Sequence, residues 1–233
     1  AQKGITVTNV KGYSTKVVAQ HTFALLLSVM EQVSYYDRYI KSGEYSRGSL
    51  FTYLEKSFME LDGHIWGIIG LGNIGRRVAD IAKAFGANVI YYSTSGKNNQ
   101  ECYTRVDLDT LLKESDIVSV HAPLNSDTEG LMNKEAFSKM KSNAIFLNVG
   151  RGAIVVEQDL ADALNEGTIA AAGLDVLCIE PMSEDNPLSQ IKDSTKLIIT
   201  PHIAWASVEA RTNLMNIIIE QIEEFFKLGN WGR

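Results

Sequence analysis

The sequence predicts an α/β fold built on a doubly wound parallel sheet, and three observations carry that prediction. A short apolar run over residues 64–69 leads into Gly70-Leu71-Gly72-Asn73-Ile74-Gly75, and a helical pattern follows over residues 76–85. Short apolar runs then alternate with helical segments, six runs in all, which calls for crossovers and helices on both faces of one sheet. Polar residues able to do chemistry fall at the ends of those runs, where such sheets hold their ligands.

In chain order, residues 4–10 are a β-type run with no element before it, which suggests a longer chain upstream. A turn over residues 11–15 offers Ser14 or Thr15 as a helix cap. Residues 16–41 read as one long helix whose centre (Phe23, Ala24, Leu25, Leu26, Leu27, Val29, Met30) is apolar nearly all round. Such a helix needs cover on several sides, from the sheet and from a partner subunit. Residues 43–61, with Tyr45, Phe51, Tyr53 and Phe58, read as a loop or arm, and 61–63 turn into the first nucleotide strand.

In the glycine turn each glycine has a separate physical role. Gly70 permits the tight turn, Gly72 lets the backbone approach a pyrophosphate, and Gly75 allows close helix–strand packing. The helix behind it offers free N–H groups and a positive dipole end. A second strand follows at 87–92, a polar loop at 93–99, a short helix at 108–113 and a third strand at 117–121. Then come a helix at 133–140, a strand at 144–149 and a helix at 158–165 with Gly167 at its C-cap. Strands at 171–176 and 197–200 complete the six, and an amphipathic helix at 207–227 ends at Gly229.

The 233 residues carry a net charge of −6 with no long basic run, which argues against nucleic acid as a partner. Cys102 and Cys178 have neither metal nor redox spacing and read as free thiols. No 18-residue apolar run and no signal-peptide pattern occur, so no membrane partner is expected and the reading is a soluble, cytoplasmic protein. His21, His64 and His121 lie outside metal-ligand spacings and read as structural; no metal is expected.

Arg151, Asp175, Glu180 and His202 follow the fourth, fifth and sixth strands and form a candidate active site. Here the chain resembles the D-isomer-specific 2-hydroxyacid dehydrogenases. The resemblance runs over residues 4–227. It is carried by the GLGNIG turn, His121-Ala122-Pro123-Leu124 with Thr128, Asn148-Val149-Gly150-Arg151-Gly152, Gly173-Leu174-Asp175-Val176 with Glu180-Pro181, and Pro201-His202. Residues 8–15 and 203–207 look most like the glycerate dehydrogenase/hydroxypyruvate reductase branch.

The resemblance implies hydride transfer between a nicotinamide cofactor and a small D-2-hydroxy or 2-keto acid of the hydroxypyruvate, glyoxylate or pyruvate type. It implies His202 as general acid/base, Glu180 as its orienting partner and Arg151 as the substrate carboxylate's ligand. It places Gly70, Gly72, Asn73, Ile74, Gly75, Ala122, Pro123, Thr128, Val149, Gly150, Arg151, Asp175 and His202 around the cofactor, with Asp175 accepting from the nicotinamide carboxamide. Trp205 reads equally as pocket wall or packing. A homodimer through the nucleotide-binding domain is also implied.

Two departures matter. The acid that NAD-specific relatives carry at the end of the second strand is replaced by Ser93, followed by Thr94, Ser95 and Lys97, which favours NADP(H) over NAD(H). Relatives also carry a further segment, most of the substrate domain, ahead of the position of Ala1. The expected layout is therefore a substrate-domain remnant at 1–12, a Rossmann domain at 13–203 and a returning helix at 204–233. Two other readings stay open, a dinucleotide-sensing module of the corepressor type and an inert fragment.

Overall fold

A computed structural model describes residues 7–97, 99 and 102–227. Seven strands form one wholly parallel sheet: β1 (Ile65–Ile69), β2 (Asn88–Tyr92), β3 (Thr104–Arg105), β4 (Ile117–Val120), β5 (Ile145–Asn148), β6 (Ala171–Leu174) and β7 (Leu197–Ile199). Their order is β3-β2-β1-β4-β5-β6-β7. The order reverses between β1 and β4, the switch point where such sheets open a crevice at their carboxyl ends. The four central strands are buried almost throughout, as expected where helices cover both faces.

The two faces have separate cores. On one, α1 (Thr15–Met30) and α4 (Asn73–Ala84) pack on the sheet through Phe23, Leu26, Val29, Trp66, Ile68, Val78 and Leu147. The Phe23 and Trp66 rings sit 4.9 Å apart, so this face has an aromatic centre. On the other face, α5 (Leu108–Glu114), α6 (Lys134–Lys139) and α7 (Glu157–Glu166) bring Leu111, Leu112, Phe137, Leu160 and Leu164 against Val118, Val120 and Phe146. Asp107 and Asn133 cap α5 and α6 by accepting from Thr110 and Ala136 N–H, and Gly167 closes α7 in the left-handed region at φ 74°.

Four expectations need correction. The long helix is broken: α1 stops at Met30 and α2 (Val33–Lys41) starts after Gln32, whose φ is 55°. Gln32 Nε2 donates to Val29 O (2.7 Å) and to Thr195 O (3.2 Å), so a side chain anchored on a distant loop ends α1 where no glycine or proline marks a stop. Within the arm, residues 44–47 form a short helix, α3 (Glu44–Arg47). The sheet has a seventh strand, β3, too short to leave an apolar pattern. The β-type run 4–10 lies partly outside the described residues; residues 7–10 form no strand and are tied to the last helix, with Gln221 Nε2 donating to Asn9 O.

That helix, α8 (Val208–Lys227), buries only Ala210 and leaves Met215, Ile219, Ile222 and Phe226 exposed among the described residues. Gly229, the expected stop, lies outside the described residues. No helix among the described residues is long and apolar enough to cross a membrane.

Candidate active site

The glycine turn behaves as its sequence dictates. Gly70 leaves β1 at φ +93°, and a Cβ there would lie 2.8 Å from Ala122 N, so both conformation and space require glycine. A Cβ on Gly75 would overlap the Gly70 carbonyl oxygen, which lets α4 start hard against the turn. Beside Gly72 there is open space, with nothing within 4 Å of a Cβ position. Gly72 is also the N-cap of α4, and no side chain caps that end. The first-turn N–H groups, including those of Asn73 and Ile74, therefore face an open cradle at the switch point. A dinucleotide pyrophosphate fits such a cradle, lined by N–H donors, with Arg76 Nη2 donating to Asn73 Oδ1 (2.6 Å) on the same turn.

Next to the turn, β4 delivers Ala122 and Pro123. Thr128 is fully buried; its Oγ1 donates to Pro123 O (2.7 Å) and accepts from Asn125 N–H (2.9 Å), so it shapes this loop from within. From β5 come Val149, Gly150 and Arg151. Asn148, buried and absent from the expected site residues, governs them: its Oδ1 accepts from Gly150 N–H (3.0 Å) and its Nδ2 donates to Arg151 O (2.9 Å). A polar amide at a strand end, two residues before Gly150, was the legible signal for it.

At the ends of β6 and β7 the expected residues converge. His202 Nδ1 lies 2.7 Å from Glu180 Oε2, with the two side chains 40% and 36% exposed. Glu180 Oε1 also accepts from Leu177 N–H (2.9 Å). Partial burial pushes the Glu180 carboxyl upward. The His202 bond, the Leu177 N–H and the Arg151 charge outweigh it and hold the group below its ordinary value. Arg151 is thus close enough to act on Glu180, and its exposed guanidinium donates to Gly150 O (2.7 Å).

His202 adopts φ 54°, a left-handed conformation uncommon outside glycine. Its N–H donates to Asp175 O (2.8 Å) and to Thr200 O (2.9 Å), which pins the strained residue. Asp175, only 1% exposed, holds the following segment: Oδ1 accepts from Thr200 Oγ1 (2.6 Å) and Ile203 N–H (2.9 Å), and Oδ2 from Ala204 N–H (2.8 Å). Because Thr200 gives its proton to Asp175, His21 Nε2, at 2.9 Å, is the donor to Thr200 Oγ1. His21 on α1 thereby joins the network, a link with no sequence signal because α1 reaches β7 only in the fold.

His64 and His121 make local contacts. His64 Nδ1 meets Asp62 O at 3.3 Å. His121 Nε2 meets Ser119 Oγ at 3.0 Å, and burial pushes its pKa down to about 3. Trp205 packs edge-on against Tyr13 and onto the core. Among the described residues no group of His, Cys, Asp and Glu is arranged to hold a metal ion.

At the end of β2, Ser93 is buried, Thr94 half-buried and Lys97 exposed, with Gly96 N–H donating to Ser93 O (3.1 Å) to close a turn. Among the described residues, 93–97 carry no carboxylate.

Residues 23–204 match the family model described as "D-isomer specific 2-hydroxyacid dehydrogenase, NAD binding domain". The chain is 43% identical over 229 residues to a hydroxypyruvate reductase of Blautia hydrogenotrophica, covering 97% of this chain and 70% of that protein. Among solved structures it resembles a D-lactate dehydrogenase from Aquifex aeolicus complexed with NAD and lactic acid (TM-score 0.87, 30% identity, 97% of this chain and 71% of that one). It also resembles an acyclic imino acid reductase, Bsp5, in complex with NADPH and D-Arg (TM-score 0.82, 36% identity, 93% of this chain and 66% of that one).

Proposed function

The chain belongs to the D-isomer specific 2-hydroxyacid dehydrogenase family, and we propose that it provides the cofactor and acid–base machinery for reducing a small 2-keto acid to its D-2-hydroxy acid. The carrying observation is the His202–Glu180 pair, set within reach of the Arg151 charge at the carboxyl edge of the sheet. Glu180 accepts the Nδ1 proton and fixes the tautomer, which leaves Nε2 to deliver a proton to the ketone oxygen. Arg151 presents a planar fork to the substrate carboxylate, a geometry lysine cannot supply. A bound nicotinamide supplies or receives the hydride at the carbon. Asp175, Thr200 and His21 hold the loop that carries His202, and on this reading Asp175 also meets the carboxamide.

The cofactor would be held by Gly70, Gly72, Asn73, Ile74 and Gly75 and by the loops of Ala122-Pro123, shaped by Thr128, and of Val149-Gly150. Ser93, Thr94 and Lys97 at the end of β2, where NAD binders place an acid, support a preference for NADP(H) over NAD(H). A nucleotide-binding domain at 13–203, flanked by substrate-domain pieces at 1–12 and 204–233, accords with the family match and with the exposed stripe of α8. A homodimer is supported by the arm, where Leu50, Leu54 and Phe58 are exposed and Phe51 is 92% exposed.

Steady-state reduction of hydroxypyruvate, glyoxylate and pyruvate with NADPH or NADH tests the reading. Turnover of at least one keto acid that is lost in His202→Asn supports it. Cofactor-dependent binding of a peptide partner, with no turnover of any of them, would favour a dinucleotide-sensing module instead.

A further inference from the structure

At the cofactor end of the sheet, Arg105 belongs to none of the motifs. It is the last residue of the two-residue edge strand β3, paired in parallel with Tyr91, and Val106 N–H donates to Tyr91 O (2.9 Å) to extend the pairing. Parallel register sends β3 toward the same edge as β2, so Arg105 emerges beside the 93–96 turn. Its Nη2 comes within 3.9 Å of the point a Cβ on Gly96 would occupy. Tyr92, Arg105, Val106, Asp107 and Thr110 line an open hollow of about 640 Å³ there.

Arg105 is exposed and makes no ion pair among the described residues. The acid in the hollow, Asp107, is engaged elsewhere: its oxygens accept from Thr110 N–H and Thr110 Oγ1, both at 2.9 Å. A guanidinium unclaimed by acid thus faces a turn rich in small hydroxyls, with Lys97 one residue beyond it. General dinucleotide-binding geometry puts the adenosine ribose at the end of the second strand, where a nearby arginine accommodates a 2′-phosphate.

We propose that Arg105 is the residue that selects NADP(H), its guanidinium clamping the 2′-phosphate from the neighbouring edge strand while Lys97 supplies a second charge. The inference rests on the NADP(H) preference proposed above. The bland alternative is a charge that guards an edge strand against pairing with other chains.

Calorimetric titration of NADPH, NADH and 2′,5′-ADP into the wild-type chain, Arg105→Leu, Arg105→Gln and Arg105→Lys tests it without recourse to turnover. Leu and Gln should weaken NADPH and 2′,5′-ADP by about tenfold to a hundredfold and leave NADH within about twofold, with Lys intermediate. Equal losses for NADPH and NADH would overturn the proposal and make Arg105 an adenine-stacking group. Unchanged affinities would overturn it in favour of the edge-guarding role. A wild-type chain that prefers NADH removes the underlying reading as well. A wild-type preference for NADPH that survives Arg105→Gln removes the assignment to Arg105 alone. Melting temperatures identify a variant that fails to fold, and the three substitutions differ enough in size and polarity for one to serve.

Discussion

The two ends of the sheet are built to opposite standards. At the amino end Asp116 closes on the chain around it. Asp116 Oδ2 accepts from Ile65 N–H (2.9 Å) and Oδ1 from Lys141 Nζ (2.8 Å), while Asp116 N–H donates to Ile65 O and Ile145 N–H to Asp116 O. The entries to β1, β4 and β5 are thereby laced together. At the carboxyl end a helix starts without a side-chain cap, a histidine is held at φ 54°, and an ion pair stays half-exposed. The contrast teaches where a fold can carry unspent polar groups. The amino end and the two cores hold the strands, and that rigidity keeps strain and open donors in place where ligands arrive.

Substitutions at the two ends should therefore separate cleanly. The largest effect is expected from His202→Asn, which should lower kcat by roughly 10²- to 10⁴-fold while leaving NADPH affinity and the melting temperature nearly unchanged. A shifted melting temperature would mean that His202 is part of the structure rather than of the chemistry.

Asp175→Ala should come next, because it strips a buried carboxylate from two backbone N–H groups and Thr200. A stability loss of about 2–4 kcal/mol in urea titrations is expected, with kcat falling as the His202 loop loosens. This residue would blur the contrast, being a stability residue placed at the functional end. A loss under about 1 kcal/mol would show that the network is dispensable.

Glu180→Gln should reduce kcat by roughly ten- to a hundredfold, less than His202→Asn, since Gln keeps the size but loses the charge. The pH profile sharpens the point. Burial raises the Glu180 carboxyl, yet its bond to His202 and the Arg151 charge hold it below the ordinary glutamate range. The pair should therefore persist as pH falls past that range and break only as pH passes the lowered value. Glu180→Gln should abolish that acid limb.

The smallest effect belongs to the amino end. Asp116→Ala should cost about 1–3 kcal/mol of stability and leave kcat/KM unchanged. Burial pushes Asp116 upward, but Lys141 and the Ile65 N–H outweigh it and leave the group lowered. With a folded value below the unfolded one, its stabilisation is complete above the ordinary aspartate range and is lost as pH falls through the lowered value. Urea titrations across acidic pH should show a shallower decline in Asp116→Asn than in the wild type.

Much of this was legible in the chain. The strand–glycine–helix unit at 65–84 appeared within three residues of its expected bounds because hydrophobic period and glycine spacing are local properties. The meeting of Arg151, Glu180 and His202 was legible because parallel strands deliver their ends to one edge. Asn148 was readable in principle, as an amide two residues before Gly150, although it is not among the expected site residues.

What the sequence determined by itself was the parallel α/β sheet, the cofactor turn and the identity of the strand-end groups. Each follows from residue types within one or two turns of chain. Only the tertiary structure decided where α1 ends, that Thr104–Arg105 is a strand, that His21 reaches Thr200, and that Arg105 stands beside the Ser93 turn. The physical reason is the same in each case. Those features are set by contacts between segments far apart in the chain, and such contacts leave no period, cap or turn residue behind in the local sequence.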